Sequence, residues 1–289
     1  MRITNPPKKK KHRGLIIFAS ILLVIAALLM DSRYRIVSPE FALSYNNLPQ
    51  SFDGYRVVQL SDLHMTDFGT NDENLINAVK KQKPDIIVIT GDMLNDHSQI
   101  ANESQTEKIS PFLEELAQLA PCYFVSGNHE WASGEIAKLT ELLAILNIVY
   151  LHNDYVLLKK GSDSIVLAGV EDPNGPKDMT KPDALIDKIS KKYPGKYVML
   201  LAHRNDWLKK YPNLEVNTIL CGHSHGGIVR LPFLGGVFGT EHDFFPKYDA
   251  GVFNEGNYDL LVSRGLGGDT IIPRFLNNPE LVTVVLKKS

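Results

Sequence analysis

Aspartate, asparagine and histidine recur in this sequence in short polar motifs, each placed directly after an apolar run. In chain order these motifs contribute Asp62 and His64, Asp92, Asn128 and His129, His203, and finally His223 and His225. Carboxylate, amide and imidazole groups together suit Mn²⁺, Fe or Zn²⁺, whereas Ca²⁺ or a structural thiolate zinc site requires other ligands. The residue types therefore predict a centre for divalent transition metals.

Each motif alone has an ordinary explanation. Gly-Asp at 91–92 and Gly-Asn at 127–128 are common turn dipeptides, and a single histidine such as His203 after a strand usually has a structural role. Chance does not readily account for two aspartates, one asparagine and five histidines that all follow strands. We interpret them as one set, in which a carboxylate such as Asp92 bridges two cations and partly offsets their repulsion.

Short apolar runs rich in β-branched residues must position these side chains. Six runs are predicted as strands, at residues 55–60, 85–90, 123–126, 165–170, 197–202 and 217–221. They are mostly continuous rather than alternating, which is typical of strands covered on both faces. In open α/β sheets the ligand site lies beyond the carboxyl ends of the strands, so we expect the five motif loops to converge there.

Helical segments are predicted between the strands, at residues 71–82, 103–119 and 134–146. In the first of these, Thr70 and Glu73 have the spacing of a capping box, and Pro84 ends the helix. Strands that alternate with helices predict an α/β sandwich. No low-complexity linker marks a second domain, so we assign residues 50–289 to one catalytic domain.

The motif set resembles that of the calcineurin-like metallophosphoesterases, whose pattern D-x-H, G-D, G-N-H-[DE], H and G-H-x-H is filled in order. The resemblance extends from about Arg56 to the C-terminus and implies a four-layer αββα sandwich. It also implies two divalent metal ions, for which we expect Mn²⁺, with Fe or Zn²⁺ as alternatives. The ligand sets that it implies are Asp62, His64 and His225 for one ion, Asn128, His203 and His223 for the other, and Asp92 as the bridge.

Hydrolysis in such a family relies on the metal ions. Two adjacent dications lower the pKa of a shared water and orient the phosphoryl oxygens, so no protein nucleophile is needed. We recognise no Gly-x-Ser-x-Gly elbow or reactive-cysteine context for a covalent alternative. The resemblance places His129 as the acid beside the ligands, where it donates a proton to the leaving oxygen. We therefore predict a hydrolase of phosphoesters or pyrophosphates.

Further segments are similar to the bacterial, membrane-associated branch of the family, which includes relatives of UDP-2,3-diacylglucosamine hydrolases. These segments are residues 202–206, 222–233, 244–248 and 262–267. They imply a phosphorylated small-molecule or lipid-linked substrate. A small phosphodiester of the cyclic-nucleotide type is one alternative, and a metal-binding module without turnover is another. The second fits less well, because a non-catalytic descendant has no physical need for His129.

Phosphoprotein phosphatases of the superfamily carry arginines after the Gly-Asp motif and before the Gly-Asn-His-Glu motif. Here Met-Leu-Asn-Asp follows Asp92 and Val-Ser precedes Gly127, which argues against a phosphoprotein substrate. Arg264 is our first candidate for gripping a substrate phosphate, and Arg204 and Arg230 are weaker ones. A structural role is the alternative explanation for each arginine.

Two features outside the motifs bear on the substrate. The apolar segment 231–245 either packs locally in the core or forms a wall against an apolar part of the substrate. His97, His152 and His242 are interpreted as loop residues. Cys122 and Cys221 are predicted at opposite edges of the sheet, which argues against a disulfide.

The N-terminal end differs in composition from the remainder. Residues 1–35 hold eight Lys or Arg and one acid, which leaves 23 basic and 32 acidic residues elsewhere, a net charge near −9. Because the globular part lacks a basic excess, nucleic acid is not expected as a partner. We interpret residues 1–13 as a basic cytoplasmic tail and residues 14–30, about 25 Å long as a helix, as a transmembrane signal anchor.

Residues 31–49 would then form a juxtamembrane segment. The positive-inside rule places the basic tail in the cytoplasm and the catalytic domain on the outer side of the cell membrane. A cleaved signal peptide is the alternative, but no clear small-x-small site precedes Asp31. The sequence thus predicts a single-pass membrane protein with an extracytoplasmic catalytic domain.

Overall fold

The computed structural model describes residues 10–96, 104–176, 181–240, 243–268 and 272–289. Its α-helices are α1 (Lys10–Tyr34), α2 (Glu73–Gln82), α3 (Gln105–Leu119), α4 (Asn128–Ala132), α5 (Ile136–Ile145), α6 (Pro182–Lys192) and α7 (Trp207–Lys210). Its strands are β1 (Glu40–Tyr45), β2 (Arg56–Leu60), β3 (Ile86–Ile89), β4 (Cys122–Phe124), β5 (Val149–Tyr150), β6 (Asp154–Lys160), β7 (Asp163–Gly169), β8 (Val198–Leu201), β9 (Thr218–Cys221), β10 (Arg230–Leu231), β11 (Gly235–Gly236), β12 (Gly251–Phe253), β13 (Asp259–Val262) and β14 (Val282–Lys288).

Two six-stranded mixed sheets form the centre of the fold. The first has the order β1-β14-β2-β3-β4-β5 and the second has the order β12-β13-β9-β8-β7-β6. Strands β2 to β5 are parallel neighbours in the first sheet, and β14 pairs antiparallel with β2. In the second sheet β7, β8, β9 and β13 are parallel, while the edge strands β6 and β12 are antiparallel. All six predicted strands are present, each carrying its motif loop where one was expected.

Alternate residues of the central strands face different layers. In β2, Val57 packs between the two sheets, whereas Val58 packs against the helices α2, α3 and α5. In β7, Leu167 packs between the sheets, whereas Val166 packs against α6 and α7. Each such buried side chain contributes about 1.5–3 kcal/mol to folding. The layers are therefore helix, sheet, sheet and helix, which confirms the expected αββα sandwich. Cys122 and Cys221 are separate buried thiols, also as expected.

The start of α2 differs from the prediction. Helix α2 begins at Glu73, and Asn71 and Asp72 adopt left-handed backbone conformations, so Thr70 does not cap it. The carboxylate of Asp72 instead accepts the main-chain N–H of Phe68 at 2.8 Å. The expected capping box is therefore wrong, because a local side-chain to main-chain bond closes the preceding turn.

Helix α1 contains a segment, Arg13–Tyr34, that is long and apolar enough to cross a membrane. Its 22 residues span about 33 Å as a helix, and its most apolar stretch is not buried against the rest of the protein. The predicted anchor, residues 14–30, lies within this segment. After α1 the chain enters β1, which pairs in parallel with β14, so part of the segment 31–49 belongs to the first sheet.

Candidate metal centre

The predicted motif loops meet at one edge of the two sheets. The segments after β2, β3 and β4 of the first sheet supply Asp62, His64, Asp92, Asn128 and His129, the last two from the first turn of α4. The loops after β8 and β9 of the second sheet supply His203, His223 and His225. Parallel strands end at the same edge, so stacking of the sheets brings both sets of side chains together.

Three groups of these side chains have potential ligand atoms within 4.8 Å of one another. The groups are Asp62, His64 and His225; His64, Asp92 and His129; and Asp92, His203 and His223. His64 belongs to the first two groups and Asp92 to the last two, so the three groups form one continuous cluster. Asp62 and Asp92 are only 0% and 1% exposed, and buried carboxylates require nearby positive charge, hydrogen-bond donors or protonation.

Asp92 lies in the middle of these groups. Its Oδ2 atom is 3.0 Å from Nε2 of His203, 3.8 Å from Nε2 of His64 and 4.0 Å from Nε2 of His129. Burial alone would raise the pKa of Asp92, but the imidazoles, His203 most strongly, hold it well below its usual range. An ionised carboxylate surrounded in this way is suited to contact two cations at once.

Hydrogen bonds orient the imidazole of His203. Its Nδ1–H donates to the carbonyl of Thr90 at 2.9 Å, which leaves Nε2 of the neutral ring as the ligand atom. Nε2 lies 3.1 Å from Oδ1 of Asn128 and 3.1 Å from Nδ1 of His223. Burial alone would lower the pKa of His203, but Asp92 outweighs burial and raises it to about 10. Protons therefore compete with cations for this ring.

Asp62 connects the first sheet to the second. Its Oδ1 and Oδ2 accept the main-chain N–H of His223 at 3.0 and 3.2 Å, and its Oδ1 is 3.8 Å from Nε2 of His225. Burial raises the pKa of Asp62, an effect that nearby histidines oppose. Gly222 permits this approach, because a Cβ there would lie 2.2 Å from Oδ2 of Asp62. The glycine that begins the last motif is thus required by space.

Five side chains of the centre stand on left-handed backbone. The φ angles are +52° at Asp62, +49° at His64, +54° at Asp92, +67° at His223 and +47° at His225. In non-glycine residues such conformations cost about 1–3 kcal/mol each and persist where the surrounding structure imposes them. Their concentration at this edge indicates that the loops are held in place to aim these side chains.

Glu130, which the motif contained but which received no role, holds two of the loops together. Its side chain is 0% exposed and accepts main-chain N–H groups of Gly127 at 2.6 Å, Asp92 at 2.8 Å and Met93 at 2.7 Å. Burial and the charge of Asp92 raise the pKa of Glu130 to about 7, although the N–H donors oppose the shift. Its position three residues after a glycine was the available signal for this role.

His129 lies at the rim of the centre. Its main-chain N–H donates to Oδ1 of Asp92 at 2.9 Å, and its ring packs edge-on against His64 with 4.6 Å between centroids. The side chain is 13% exposed, whereas that of His64 is fully buried. His129 therefore reaches both the centre and solvent, as a group that exchanges protons must.

Residues 222–226 have the letters Gly-x-Ser-x-Gly, so the expectation that this pattern does not occur is wrong. Ser224 is not placed as a nucleophile, however. It is buried, and its Oγ–H donates to the carbonyl of Asp249 at 2.6 Å. A 3₁₀ turn, His225–Gly227, follows β9 in place of the helix of a nucleophile elbow. The covalent alternative therefore gains no support.

Arg264 lies beside the last metal motif and is engaged by a carboxylate. Its Nε donates to Glu280 at 2.9 Å, and its main-chain N–H donates to the same side chain at 2.8 Å. A Cβ placed on Gly226 would lie 2.8 Å from Cγ of Arg264, so the arginine stem packs against the motif. Its predicted contact with substrate phosphate stays a prediction.

A polar cleft of about 250 Å³ opens beside His203. Its lining includes the basic side chains of Lys181, Arg204 and Lys210 and the ring of Trp207. Arg204 pairs with Asp172 at 2.8 Å in this cleft. Glu171, Asp172 and Asp206 also line the cleft, and Lys210 pairs with Asp206 at 2.6 Å. Acidic and basic side chains therefore balance next to the centre.

The apolar segment 231–245, described except for residues 241–242, forms hairpins rather than core. β10 pairs with β11, and Phe238 bridges to Phe244. The side chains exposed at these turns are Phe233, Leu234, Phe244 and Phe245. Arg230, at the base of the first hairpin, pairs with Asp249 at 2.8 Å. His97 and His242 lie outside the described residues, and His152 pairs with Glu171 at 2.6 Å.

A comparison with protein families decides the class of the protein. The family model described as calcineurin-like phosphoesterase matches residues 55–227, more than half of the chain. The chain belongs to the calcineurin-like phosphoesterase family. This phosphoesterase is thus a metal-dependent phosphoric ester hydrolase of a dinuclear family, and its edge-of-sheet groups are the candidate ligands. The family predicted from the motifs is confirmed.

Curated relatives agree with this assignment. The chain is 28% identical to the uncharacterized metallophosphoesterase YkuE of Bacillus subtilis, covering 89% of this chain and 87% of that protein. It is 27% identical to the UDP-2,3-diacylglucosamine pyrophosphatase LpxG of Chlamydia muridarum, over 81% and 85% of the two chains. A transmembrane protein with metallophosphoesterase domain from Danio rerio is 27% identical over 84% of this chain, which spans only 55% of that protein. Such a relative and the apolar segment of α1 both indicate single-pass anchoring in a membrane.

Proposed function

We propose that the protein is a membrane-anchored phosphoesterase whose two cation positions lie at the C-terminal edge of both sheets. One position would be held by Asp62, His64 and His225, and the other by Asn128, His203 and His223. Asp92 would bridge them. The observation that carries this assignment is the position of Asp92, whose Oδ2 faces the imidazoles of two groups at 3.0 to 3.8 Å.

The donor set fits divalent transition metals. It combines carboxylate, amide and imidazole groups without a thiolate, and we propose Mn²⁺ as the resident ion, with Fe or Zn²⁺ as alternatives. When bound, two such ions make hydroxide available near neutral pH and neutralise charge on the phosphoryl oxygens. Glycines at 127 and 222 leave the space in which the carboxylates meet the neighbouring loops.

His129 is the proposed proton donor to the leaving oxygen. Its ring lies at the rim, and its Nε2 is 4.0 Å from Oδ2 of the buried Asp92, beside the position proposed for the leaving oxygen. His64 packs edge-on against the ring and restricts its orientation. The main-chain bond from His129 to Asp92 keeps the donor next to the bridging ligand.

For the substrate we propose an amphiphile or nucleotide sugar with a phosphoester or pyrophosphate bond, such as a UDP-diacylglucosamine. Two observations support this class: the membrane segment of α1 and the likeness to a UDP-2,3-diacylglucosamine pyrophosphatase. By the positive-inside rule we place residues 1–13 in the cytoplasm and the catalytic domain, to which β1 also belongs, on the other side of the membrane.

The test uses the full-length protein reconstituted in phosphatidylcholine nanodiscs and loaded with Mn²⁺, Fe²⁺ or Zn²⁺ after chelation. Hydrolysis of an aryl phosphate, a bis-aryl phosphate and a UDP-diacylglucosamine is then compared. We expect turnover that depends on metal and is fastest with the UDP-diacylglucosamine. Preference for the bis-aryl phosphate would favour a small-phosphodiester hydrolase instead. Metal binding without turnover of any of the three would contradict the proposed function.

A further inference from the structure

A cleft of about 530 Å³ lies between the end of α1 and the catalytic domain. We call it the anchor cleft. Its apolar wall consists of Leu29 and Met30 of α1 together with Leu266 and Ile272 of the domain, and its basic side chains are Arg33 and Arg274. The membrane segment is therefore itself one wall of a cavity.

Leu266 and Gly267, which line the anchor cleft, are hydrogen-bonded to a loop of the metal centre. The main-chain N–H of Leu266 donates to the carbonyl of Ser61 at 2.9 Å, and that of Gly267 donates to the carbonyl of Asp62 at 2.7 Å. A Cβ at Gly267 would lie 2.0 Å from the carbonyl oxygen of Leu63. The cleft thus adjoins the loop that carries Asp62 and His64.

The wall formed by α1 is fixed to the domain by hydrogen bonds. Nδ2 of Asn278 donates to the main-chain carbonyl of Asp31 at 2.7 Å and to its carboxylate at 3.0 Å. Arg35 donates to the same carboxylate at 2.9 Å and to Oδ1 of Asn278 at 3.2 Å. Ser32 is buried in this contact. The last turn of α1 is therefore held against the domain.

The position of the cleft along α1 places it at the membrane surface. Leu29 and Met30 belong to the final apolar turns of the span, and Met30 is 63% exposed. Arg33 and Tyr34 follow within one further turn, with the Arg33 guanidinium 5.5 Å from the ring centroid of Tyr34. Arginine and tyrosine are residues that lie at the level of lipid headgroups. The cleft therefore opens where headgroups and the first methylenes of acyl chains meet.

The charge of the anchor cleft is positive. The guanidinium of Arg274 donates only to the main-chain carbonyls of Arg264 and Gly267, and its Nη1 has no hydrogen-bond partner among the described residues. Burial lowers the pKa of Arg274 to about 10, so the group stays a cation at neutral pH. Among the residues that the structure describes, no carboxylate lines the cleft. The carboxylates of Asp62 and Glu280 attract the Arg274 cation but do not line the cleft. Among the described residues, the cleft itself therefore presents only cationic charged groups to an anion.

We propose that the anchor cleft binds the apolar chain of an anionic amphiphile, with Leu29, Met30 and Ile272 against the chain and Arg33 and Arg274 near its anionic group. The substrate would thus enter sideways from the bilayer, guided by the same helix that anchors the enzyme. That the amphiphile is a substrate rests on the proposed phosphoesterase function, whereas its binding does not.

A matched pair of chromogenic diesters, butyl and hexadecyl 4-nitrophenyl phosphate, tests the proposal on the Mn²⁺-loaded full-length protein in phosphatidylcholine nanodiscs. We expect kcat/KM to be higher for the hexadecyl ester, and Ile272→Asp to reduce this preference about tenfold, the equivalent of roughly two buried methylenes. The butyl ester should be hydrolysed by both proteins alike. Each ester partitions into the bilayer to the same extent whichever variant is present. A change in chain-length preference between variants therefore reports binding in the cleft.

Ile145→Asp is the matched control, because Ile145 is 76% exposed at the end of α5 and does not line the cleft. If Ile272→Asp and Ile145→Asp give the same chain-length preference as the wild-type protein, the inference is wrong. If wild-type protein hydrolyses neither ester, the phosphoesterase function is in doubt and the cleft is judged by binding alone.

Binding is measured on chelated full-length protein with an environment-sensitive thiol dye on Ile272→Cys, since the native Cys122 and Cys221 are buried. Hexadecyl phosphate should change the dye emission at a lower concentration than hexadecanol. Arg33→Gln should reduce the difference between the concentrations of hexadecyl phosphate and hexadecanol that change the emission. Equal responses to both compounds in the parent and in Arg33→Gln would overturn the anionic part of the proposal, and no response to either would overturn the cleft itself.

Discussion

The two sheets contribute to the centre in different ways. Loops of the first sheet are tied to one another: the N–H of Asp62 donates to the carbonyl of Gly91, and that of His64 donates to the carbonyl of Asp92, both at 3.0 Å. Glu130 adds its bonds to this network. The candidate ligands from loops of the second sheet are all imidazoles. One link between these loops and the first sheet is the hydrogen bond that the main-chain N–H of His223 donates to Asp62.

The two sheets therefore have different roles at the edge where the motif loops meet. The first sheet provides a cross-linked frame of carboxylates, and the second sheet brings histidines up to it. Two of the three groups of candidate ligands draw on both sheets, namely the group of Asp62 with His225 and the group of Asp92 with His203 and His223. Bound cations would therefore fasten the two sheets together as well as carry the chemistry.

Removing the proposed bridging carboxylate should have the largest effect. In Asp92→Asn the side chain loses the negative charge that faces both groups, so we expect activity to fall more than about 1000-fold and metal content to fall below two ions per chain. Metal analysis and phosphoesterase assays on the same preparation check this. Retention of two ions with near-normal turnover would remove Asp92 from the bridging position.

Removing the proposed proton donor should reduce turnover without emptying the site. We expect His129→Asn to lower kcat by about 10² to 10⁴, because a general acid contributes that much, while both ions remain bound. The loss should shrink for substrates with good leaving groups such as 4-nitrophenol. Simultaneous loss of metal and activity would instead make His129 a ligand.

Weakening the frame of the first sheet should have an intermediate effect. Glu130→Gln replaces one acceptor oxygen with an amide that faces N–H donors, so we expect metal affinity to fall about 10- to 100-fold and stability to fall by about 2 kcal/mol or more. Glu135→Gln is the matched control, since Glu135 accepts the N–H groups of Gln105 and Thr106 away from the centre. Equal loss of metal affinity in both variants would deny Glu130 its specific role.

Chelation of the wild-type protein gives the smallest and most direct contrast between the sheets. Amide hydrogen exchange should accelerate at residues 203–206 and 222–228 of the second sheet by about tenfold, and less at residues 61–66 and 91–94, whose loops are cross-linked. Mass spectrometry of chelated and Mn²⁺-loaded protein measures both regions at once. Equal acceleration of amide exchange in the two regions would refute the idea that only the loops of the first sheet are held together without metal.

Much of this centre was predictable from local sequence. The five motif loops, the strands before them and the family follow from residues such as Asp62, Asp92 and His203, because a strand end followed by a metal-binding side chain is a local pattern. The start of α2 was not predictable in the same way. At that point Thr70 had the correct spacing, yet the competing bond from Phe68 to Asp72 determined the backbone.

Strand β14 and the role of Glu130 lay beyond local patterns. β14 comes from the end of the chain and lies between β1 and β2, so its place depends on contacts more than 200 residues apart in sequence. Glu130 has the letters of a motif, but its partners on the loop of Asp92 lie 36 to 38 residues away. The position of Arg274 as a half-buried cation beside α1 has no signal in its neighbours at all.

By itself the sequence determined the kinds of candidate ligand, their order and the candidate membrane segment, since periodicity, residue type and length are properties of short stretches of chain. The tertiary structure alone decided that imidazoles of one sheet meet carboxylates of the other and that α1 walls a cleft beside them. Both outcomes depend on the stacking of two sheets and the docking of a helix, and these are set by the packing of side chains that are distant in sequence.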